Sequence, residues 1–171
     1  FLALEHLGAS VMVGDRYELE AKELRGDDIF LDEPSVTGTE NALMAAVMAK
    51  GRTVLRNSAC EPHVQDLARC LVAMGAEIAG IGSNIYTIEG GRPLVGTSYT
   101  IGPDHIEIGS FIGLAAVTNG DIVIEPVRQE DLRSVILGFE RLGIRPKIEG
   151  HRLTVSSGQE RRIRPDLGGH V

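Results

Sequence analysis

The chain has 171 residues, 43% hydrophobic and 24% charged, with a formal net charge of −7, which excludes a nucleic-acid backbone or an anionic membrane as the main partner, since both need a basic face. No apolar run approaches the ~20 residues of a membrane span, and no basic start leads into an apolar leader, so a cytoplasmic address is expected. Cys60 and Cys70 are too few for a disulfide framework or a zinc site and fit a reducing compartment.

The chain opens inside an apolar-periodic stretch and closes on a loop-like tail, so a piece of a longer protein is expected. That first stretch stops at Leu7-Gly8-Ala9, and Tyr17-Glu18-Leu19 reads as a strand. Ile29-Phe30-Leu31 follows as a buried strand, Thr39 to Lys50 as a helix ended by Gly51, and Thr53-Val54-Leu55 as a second strand. Pro62 to Met74 reads as an amphipathic helix, with Val64, Leu67, Ala68 and Leu71 on one stripe and Gln65, Asp66 and Arg69 facing away. Gly75 stops it, and short strands at Glu77-Ile78-Ala79 and Ile85-Tyr86-Thr87-Ile88 complete a βαβαββ order.

The same order recurs from Tyr99 to Val155. Ala45-Ala46 corresponds to Ala115-Ala116, Gly51 to Gly120, Thr53-Val54-Leu55 to Ile122-Val123-Ile124, Met74-Gly75 to Leu142-Gly143 and Tyr86-Thr87-Ile88 to Leu153-Thr154-Val155. Leu132, Val135, Ile136 and Phe139 form the stripe of its amphipathic helix. Leu7-Gly8-Ala9 aligns with Met74-Gly75-Ala76, so a third, partial copy starts the chain. The helices Thr39 to Ala49 and Glu107 to Val117 are rich in Ala, Gly and Met and poor in charge, and are expected to be buried on most sides.

One strand-to-helix turn has the character of a site. In Asp32-Glu33-Pro34-Ser35-Val36-Thr37-Gly38-Thr39-Glu40-Asn41, Thr37 and Glu40 have capping-box spacing. The same turn offers free N–H groups and the positive end of a helix dipole to an anion, with Gly38 for close approach and hydroxyls from Ser35, Thr37 and Thr39. At the matching turn, Asp104 is positioned to cap the following helix, and Pro103-Asp104 suits a hinge better than a phosphate site. Cys60 and His63 lack a third orienting group, the five histidines show no metal-ligand spacing, and Arg161, Arg162 and Arg164 read as a solvated loop, so no metal or cofactor is expected.

Ser35 to Asn41 with Met44-Ala45-Ala46, Glu61-Pro62 with Leu67-Ala68 and Met74-Gly75-Ala76, Ile88-Glu89-Gly90, and Pro103 to Phe111 together resemble the enolpyruvyl transferases that act on UDP-N-acetylglucosamine. The likeness runs from Phe1 to about Val155. It implies an α/β (α+β) fold: repeated βαβαββ units of an inside-out α/β barrel, in parts of two lobes. Residues 1–102 would finish one lobe, with a partial unit at 1–26 and a full unit at 27–95. Residues 103–171 would start the other, with a unit at about 97–156 and a tail at 157–171, the chain crossing at the Pro103-Asp104 hinge.

The implied parent enzyme transfers the enolpyruvyl group of phosphoenolpyruvate to the 3′-hydroxyl of UDP-N-acetylglucosamine, the first committed step of peptidoglycan synthesis. Its partners would be those two substrates and the rest of the same polypeptide, with no nucleic acid and no membrane. The family's reactive-cysteine loop falls outside this chain, and neither Cys60 nor Cys70 matches it, so no catalytic residue is assigned and the fragment is expected to be inactive. The family's nucleotide-binding run maps onto Glu33, Pro34, Ser35 and Val36, with Thr37 adjoining. Many members carry lysine where Glu33 stands and arginine where His105 stands, so backbone donors at Ser35 and Val36, or another cation, would have to serve the diphosphate. The sibling transferase acting on 3-phosphoshikimate and a non-catalytic βαβαββ module that binds a sugar nucleotide or packs against another chain are the alternatives.

Overall fold

Three helices of this chain stop where glycine allows a left-handed turn. In a computed structural model, which describes residues 1–162, helix α1 (Leu2–His6) is followed by Gly8 at φ 99°, α3 (Pro62–Ala73) by Gly75 at φ 104° and α5 (Arg133–Arg141) by Gly143 at φ 84°. The three ends share one hydrogen-bond pattern. Ala9 N donates to Leu4 O, Ala76 N to Leu71 O and Ile144 N to Phe139 O, while the glycine N–H groups reach Glu5, Val72 and Glu140 carbonyls. This is the Schellman arrangement, which satisfies carbonyls that a helix end otherwise leaves open.

The chain forms two units, Phe1–Ile101 and Gly102–Val171. In the first, the hairpin β1 (Ser10–Val13) and β2 (Tyr17–Glu20) follows α1. Then β3 (Asp28–Phe30), α2 (Val36–Met48), β4 (Gly51–Arg56), α3, β5 (Glu77–Ala79) and β6 (Ile85–Gly90) appear in the expected βαβαββ order. The sheet order is β3-β4-β6-β5, with β3 parallel to β4 and the other neighbours antiparallel. Alternation sends Thr53 and Leu55 of β4 and Tyr86 and Ile88 of β6 inward. There Leu55, Tyr86 and Ile88 join Leu43, Ala46 and Val47 of α2 and Val64, Ala68 and Leu71 of α3 in one core. Each fully buried large apolar side chain contributes roughly 1.5–3 kcal/mol.

In the second unit, α4 (His105–Thr118), β7 (Ile122–Ile124), a 3-10 turn (Gln129–Leu132), α5, β8 (Lys147–Glu149) and β9 (Arg152–Val155) repeat the order, with sheet order β7-β9-β8. Thr53 pairs with Ile88 and Leu55 with Tyr86; the aligned residues pair alike, Ile122 with Val155 and Ile124 with Leu153. In the partial copy, Val11 opposite Leu19 matches Ile78 opposite Ile88. Two glycines of α4 let it lie close to α5: a Cβ at Gly109 would stand 3.4 Å from Val135, and one at Gly113 3.7 Å from Phe139.

Three expectations are corrected. The strand expected near Tyr99 does not form, so the second unit is αβαββ among the described residues; 91–104 carry no regular structure. Asp66, expected to face solvent, is buried because Tyr99 from that irregular segment lies over it and donates its hydroxyl at 2.9 Å. Helices α2 and α4 bury one face rather than most sides: Met44 and Met48 of α2, and Ile106, Phe111, Leu114 and Val117 of α4, remain exposed. The described part of the tail is held by hydrogen bonds. Ser157 N and Oγ donate to Asp121, Gly158 N donates to Asn119 Oδ1 and Arg162 N to Leu142 O. The remainder, with Arg164 and His170, lies outside the described residues.

Substituting the cap glycines separates conformational from steric cost. In the full-length protein, Gly75→Ala should destabilise by about 1–2 kcal/mol, the cost of a left-handed alanine, since a Cβ there meets nothing closer than 3.9 Å. Gly143→Ala should cost more, because its Cβ would stand 2.4 Å from the Glu160 carbonyl oxygen. Urea unfolding of both variants checks the order; equal losses would contradict it.

Candidate functional site

The turn between β3 and α2 is held from behind before it presents anything to solvent. Leu31 N donates to Arg56 O at 3.0 Å, and Asn57, itself in the left-handed region at φ 57°, donates its side-chain amide to Leu31 O at 2.9 Å. The Arg56 guanidinium grips Asp28 in two bonds of 2.7 and 2.9 Å and holds its carboxyl below the usual range. Thr39 fastens the other side. Fully buried, its hydroxyl donates to Ser35 O at 2.7 Å and accepts from Ala59 N at 2.9 Å, joining the first turn of α2 to the loop before α3.

The helix starts three residues earlier than its apolar pattern suggests, and this moves the cap. Ser35, not Thr37, is the N-cap, and its Oγ accepts from Gly38 N at 3.1 Å. A capping box would need a Glu or Gln three residues on; Gly38 stands there, so no reciprocal bond forms. A Cβ at Gly38 would meet Ser35 Cβ and Oγ at 3.1 Å, a tight contact beside the cap. Thr39 is unavailable to a ligand because its hydroxyl is committed inside the protein.

Of the first-turn N–H groups, Gly38 is taken by Ser35 Oγ and Thr39 by Ser35 O. Ser35 N itself donates to Glu33 O at 2.8 Å, so this donor is spent within the turn. The intrahelical ladder cannot reach Val36 and Thr37. Among the described residues, these two N–H groups point out of the helix start without an acceptor, where the dipole favours negative charge.

Ser35 and Val36 are half-buried, while Glu33, Pro34 and Thr37 are exposed. An open groove of about 680 Å³ runs beside the turn, walled by Leu2 and Leu4 of α1, Leu19 of β2 and Leu31, with Asp32, Glu33, Ser35, Thr37 and Asn41 along its polar side. Asn41 is steadied by donating to Thr37 O at 2.8 Å. The apolar wall was not legible as part of a site, because α1 and β2 lie far away in sequence and their leucines read as ordinary core. Lining Asp32 and Glu33 bring negative charge, and no Lys, Arg or His is among the described lining residues. Asp104 caps α4 as expected, accepting from Ile106 N at 2.8 Å and Glu107 N at 3.1 Å, with Pro103 half-buried before it. Both cysteines are free, and no group of three or more His, Cys, Asp or Glu side chains among the described residues is placed to hold a metal ion. No helix among them is long and apolar enough to cross a membrane.

Comparison with known proteins gives this geometry a context. The sequence profile of the family described as EPSP synthase (3-phosphoshikimate 1-carboxyvinyltransferase) matches residues 1–165. A UDP-N-acetylglucosamine 1-carboxyvinyltransferase of Bradyrhizobium diazoefficiens is 58% identical over 170 residues, 99% of this chain and 39% of that protein. One of Treponema denticola, bearing the same name, is 53% identical over 171 residues, 100% of this chain and 40% of the relative. The chain therefore spans about two fifths of the length of these relatives. Among solved structures, the enolpyruvyl transferase NikO from Streptomyces tendae superposes with a TM-score of 0.75 at 20% identity, covering 90% of this chain and 40% of that one. An EPSP synthase from Acinetobacter baumannii gives 0.63 at 24% identity, covering 90% and 37%.

Two substitutions test how the turn is built. Thr39→Val keeps the shape but strands the Ala59 N–H in a buried position, and should cost about 1–3 kcal/mol in denaturant unfolding of the full-length protein. Thr39→Ser should recover most of that loss; a harmless Thr39→Val would show that the hydroxyl does not hold the turn.

Proposed function

Because the chain belongs to the EPSP synthase (3-phosphoshikimate 1-carboxyvinyltransferase) family, we propose that it is part of an enzyme that transfers the enolpyruvyl group of phosphoenolpyruvate to the 3′-hydroxyl of UDP-N-acetylglucosamine. The observation that carries this choice of acceptor is identity above half along the whole chain to relatives whose names specify UDP-N-acetylglucosamine. The reading against 3-phosphoshikimate as acceptor rests on the same relatives, since the EPSP synthase likeness extends to fold at 24% identity. The sugar hydroxyl gives up its proton as its oxygen bonds to C2 of phosphoenolpyruvate and C3 takes up a proton; a proton then leaves C3 as the C2–O bond to phosphate breaks and phosphate departs. It is the first committed step of peptidoglycan synthesis, so the enzyme serves cell-wall growth, shape and division in the cytoplasm.

The part of that work assigned to this chain is binding. Glu33, Pro34, Ser35, Val36 and Thr37 form the nucleotide-sugar contact, with the N–H groups of Val36 and Thr37 donating to diphosphate oxygens at the start of α2. Ser35 acts by capping: it occupies Gly38 N and keeps the other two donors pointing outward. The groups that protonate the vinyl carbon and activate the sugar hydroxyl belong to residues outside this chain. Residues 1–102 and 103–171 belong to different lobes in this reading, with Pro103-Asp104 as the hinge, and the exposed apolar faces of α2 and α4 are covered by the rest of the polypeptide.

Titration calorimetry on the full-length enzyme should show UDP-N-acetylglucosamine binding weakened roughly 2–10-fold by Ser35→Ala, the loss of about one hydrogen bond's net contribution. Unchanged affinity would return the turn to a capping role. The isolated 171-residue chain should give no turnover with both substrates; measurable transfer would contradict the assignment of catalysis to residues elsewhere.

A further inference from the structure

Folding buries a small polar cluster under the start of α3 whose hydrogen bonds the protein itself does not complete. Tyr86 of β6 and Ser58 of the loop after β4 are 0% and 2% exposed. Among the described residues neither hydroxyl has a hydrogen-bond partner, and neither does the buried Oε2 of Glu61, the residue that precedes α3. Three elements bring these groups together. Tyr86 stands opposite Leu55 in the β4–β6 pair, and Ser58 N donates to Asn84 O at 3.0 Å, two residues before Tyr86. The turn between β5 and β6 lies against α3, since a Cβ at Gly82 would stand 3.4 Å from Gln65 Oε1. Gln65 in turn donates its amide to Cys60 O at 2.7 Å, holding the end of the loop to the first turn of the helix. Burial pushes the Tyr86 hydroxyl above its ordinary pKa, and the neighbouring Cys60 and Glu61 act the same way, so its proton stays in place. The Gly82 N–H faces the phenol oxygen but, being a donor, offers that proton no acceptor.

We propose that Tyr86, Ser58 and Glu61 together hold one ordered water molecule beneath the start of α3. Buried polar groups left unpaired work strongly against folding, and native proteins satisfy nearly all of them. As placed, none of the three oxygens bonds another, so the cluster calls for a mediator that both accepts and donates. One water does this. Its oxygen accepts from the Tyr86 and Ser58 hydroxyls, and one of its hydrogens goes to Glu61 Oε2, which as a carboxylate oxygen only accepts. Three bonds is the usual complement of a buried water. Its second hydrogen is left for the solvent side, where Glu61 is half-buried and Cys60 exposed. A divalent metal ion would need more oxygen ligands than these three groups supply. The water's role is positional. Ala59 N of the same loop is already tied to Thr39, so the water fastens the loop to the sheet as well, and the start of α3 is held at two points. Such a site is independent of which acceptor substrate the enzyme uses.

A high-resolution crystal structure of the full-length protein tests the site directly. The expected result is a solvent peak about 2.5–3.0 Å from Tyr86 Oη, Ser58 Oγ and a Glu61 carboxylate oxygen. No peak there, or a direct bond from Tyr86 to Glu61 or another protein group, overturns the proposal. So does anomalous signal at that point after a rubidium soak, which would mark a monovalent cation. In Tyr86→Phe the peak should vanish, and urea unfolding should show the unfolding equilibrium constant raised roughly fivefold, one hydrogen bond's net contribution. A hydroxyl without a partner predicts instead that Tyr86→Phe is as stable as the wild type or more so. That outcome, or a peak that persists in the variant, overturns the proposal. The substitution keeps the ring that fills the core; should it still fail to fold, Ser58→Ala carries the same two readouts with the same signs.

Discussion

The hydroxyl of Thr39 is the constraint on which the candidate site depends. It sits at zero exposure, one turn into α2, and spends both its hydrogen-bonding capacities on backbone: Ser35 O in its own helix and Ala59 N in the loop that launches α3. A buried threonine in a helix commonly bonds back to a carbonyl; here the second bond converts that local habit into a tie between two helices. The start of α2 is thereby fixed relative to the end of β4, and Arg56 and Asn57 at that end fix Leu31 and Asp28 in turn. The turn's outward donors inherit their direction from this lattice and need no ligand to set it.

Much of the architecture was legible because it is written more than once. The alignment of Gly8, Gly75 and Gly143 rests on three local sequences, and the structure gives each a positive φ and the same pair of capping bonds. The paired strands agree in register between copies, so the correspondence drawn from Thr53-Val54-Leu55 and Ile122-Val123-Ile124 was a statement about which side chains meet across the sheet. Amphipathic stripes on α3 and α5 were readable for the same reason: their apolar positions recur at helical spacing while their outer faces are charged.

What was not legible lies where tertiary contacts override local pattern. Thr37 and Glu40 have capping-box spacing, yet Ser35 caps, because the helix begins at Val36 and Thr37 already lies within its first turn. Asp66 belongs to a polar helix face and is nevertheless buried, since a tyrosine far along the chain covers it. The strand expected near Tyr99 had suitable residues but acquires no paired neighbour among the described residues. The groove's leucines come from α1 and β2, and nothing local distinguishes such residues from core. Composition did foresee that α2 and α4 are apolar around their circumference, but not that each would leave one side open in this chain.

The acidic balance of the chain acquires a local meaning in this account. Its negative charge includes Asp32 and Glu33 beside the start of α2, where the N–H groups of Val36 and Thr37 are left as backbone donors. The most direct measurement of the central claim is amide hydrogen exchange of the full-length enzyme with and without UDP-N-acetylglucosamine, read at single-residue resolution. The account predicts that the N–H groups of Val36 and Thr37 become protected on ligand addition while Gly38 and Thr39, already bonded, change little. Unaltered exchange at Val36 and Thr37 under saturating ligand would contradict it.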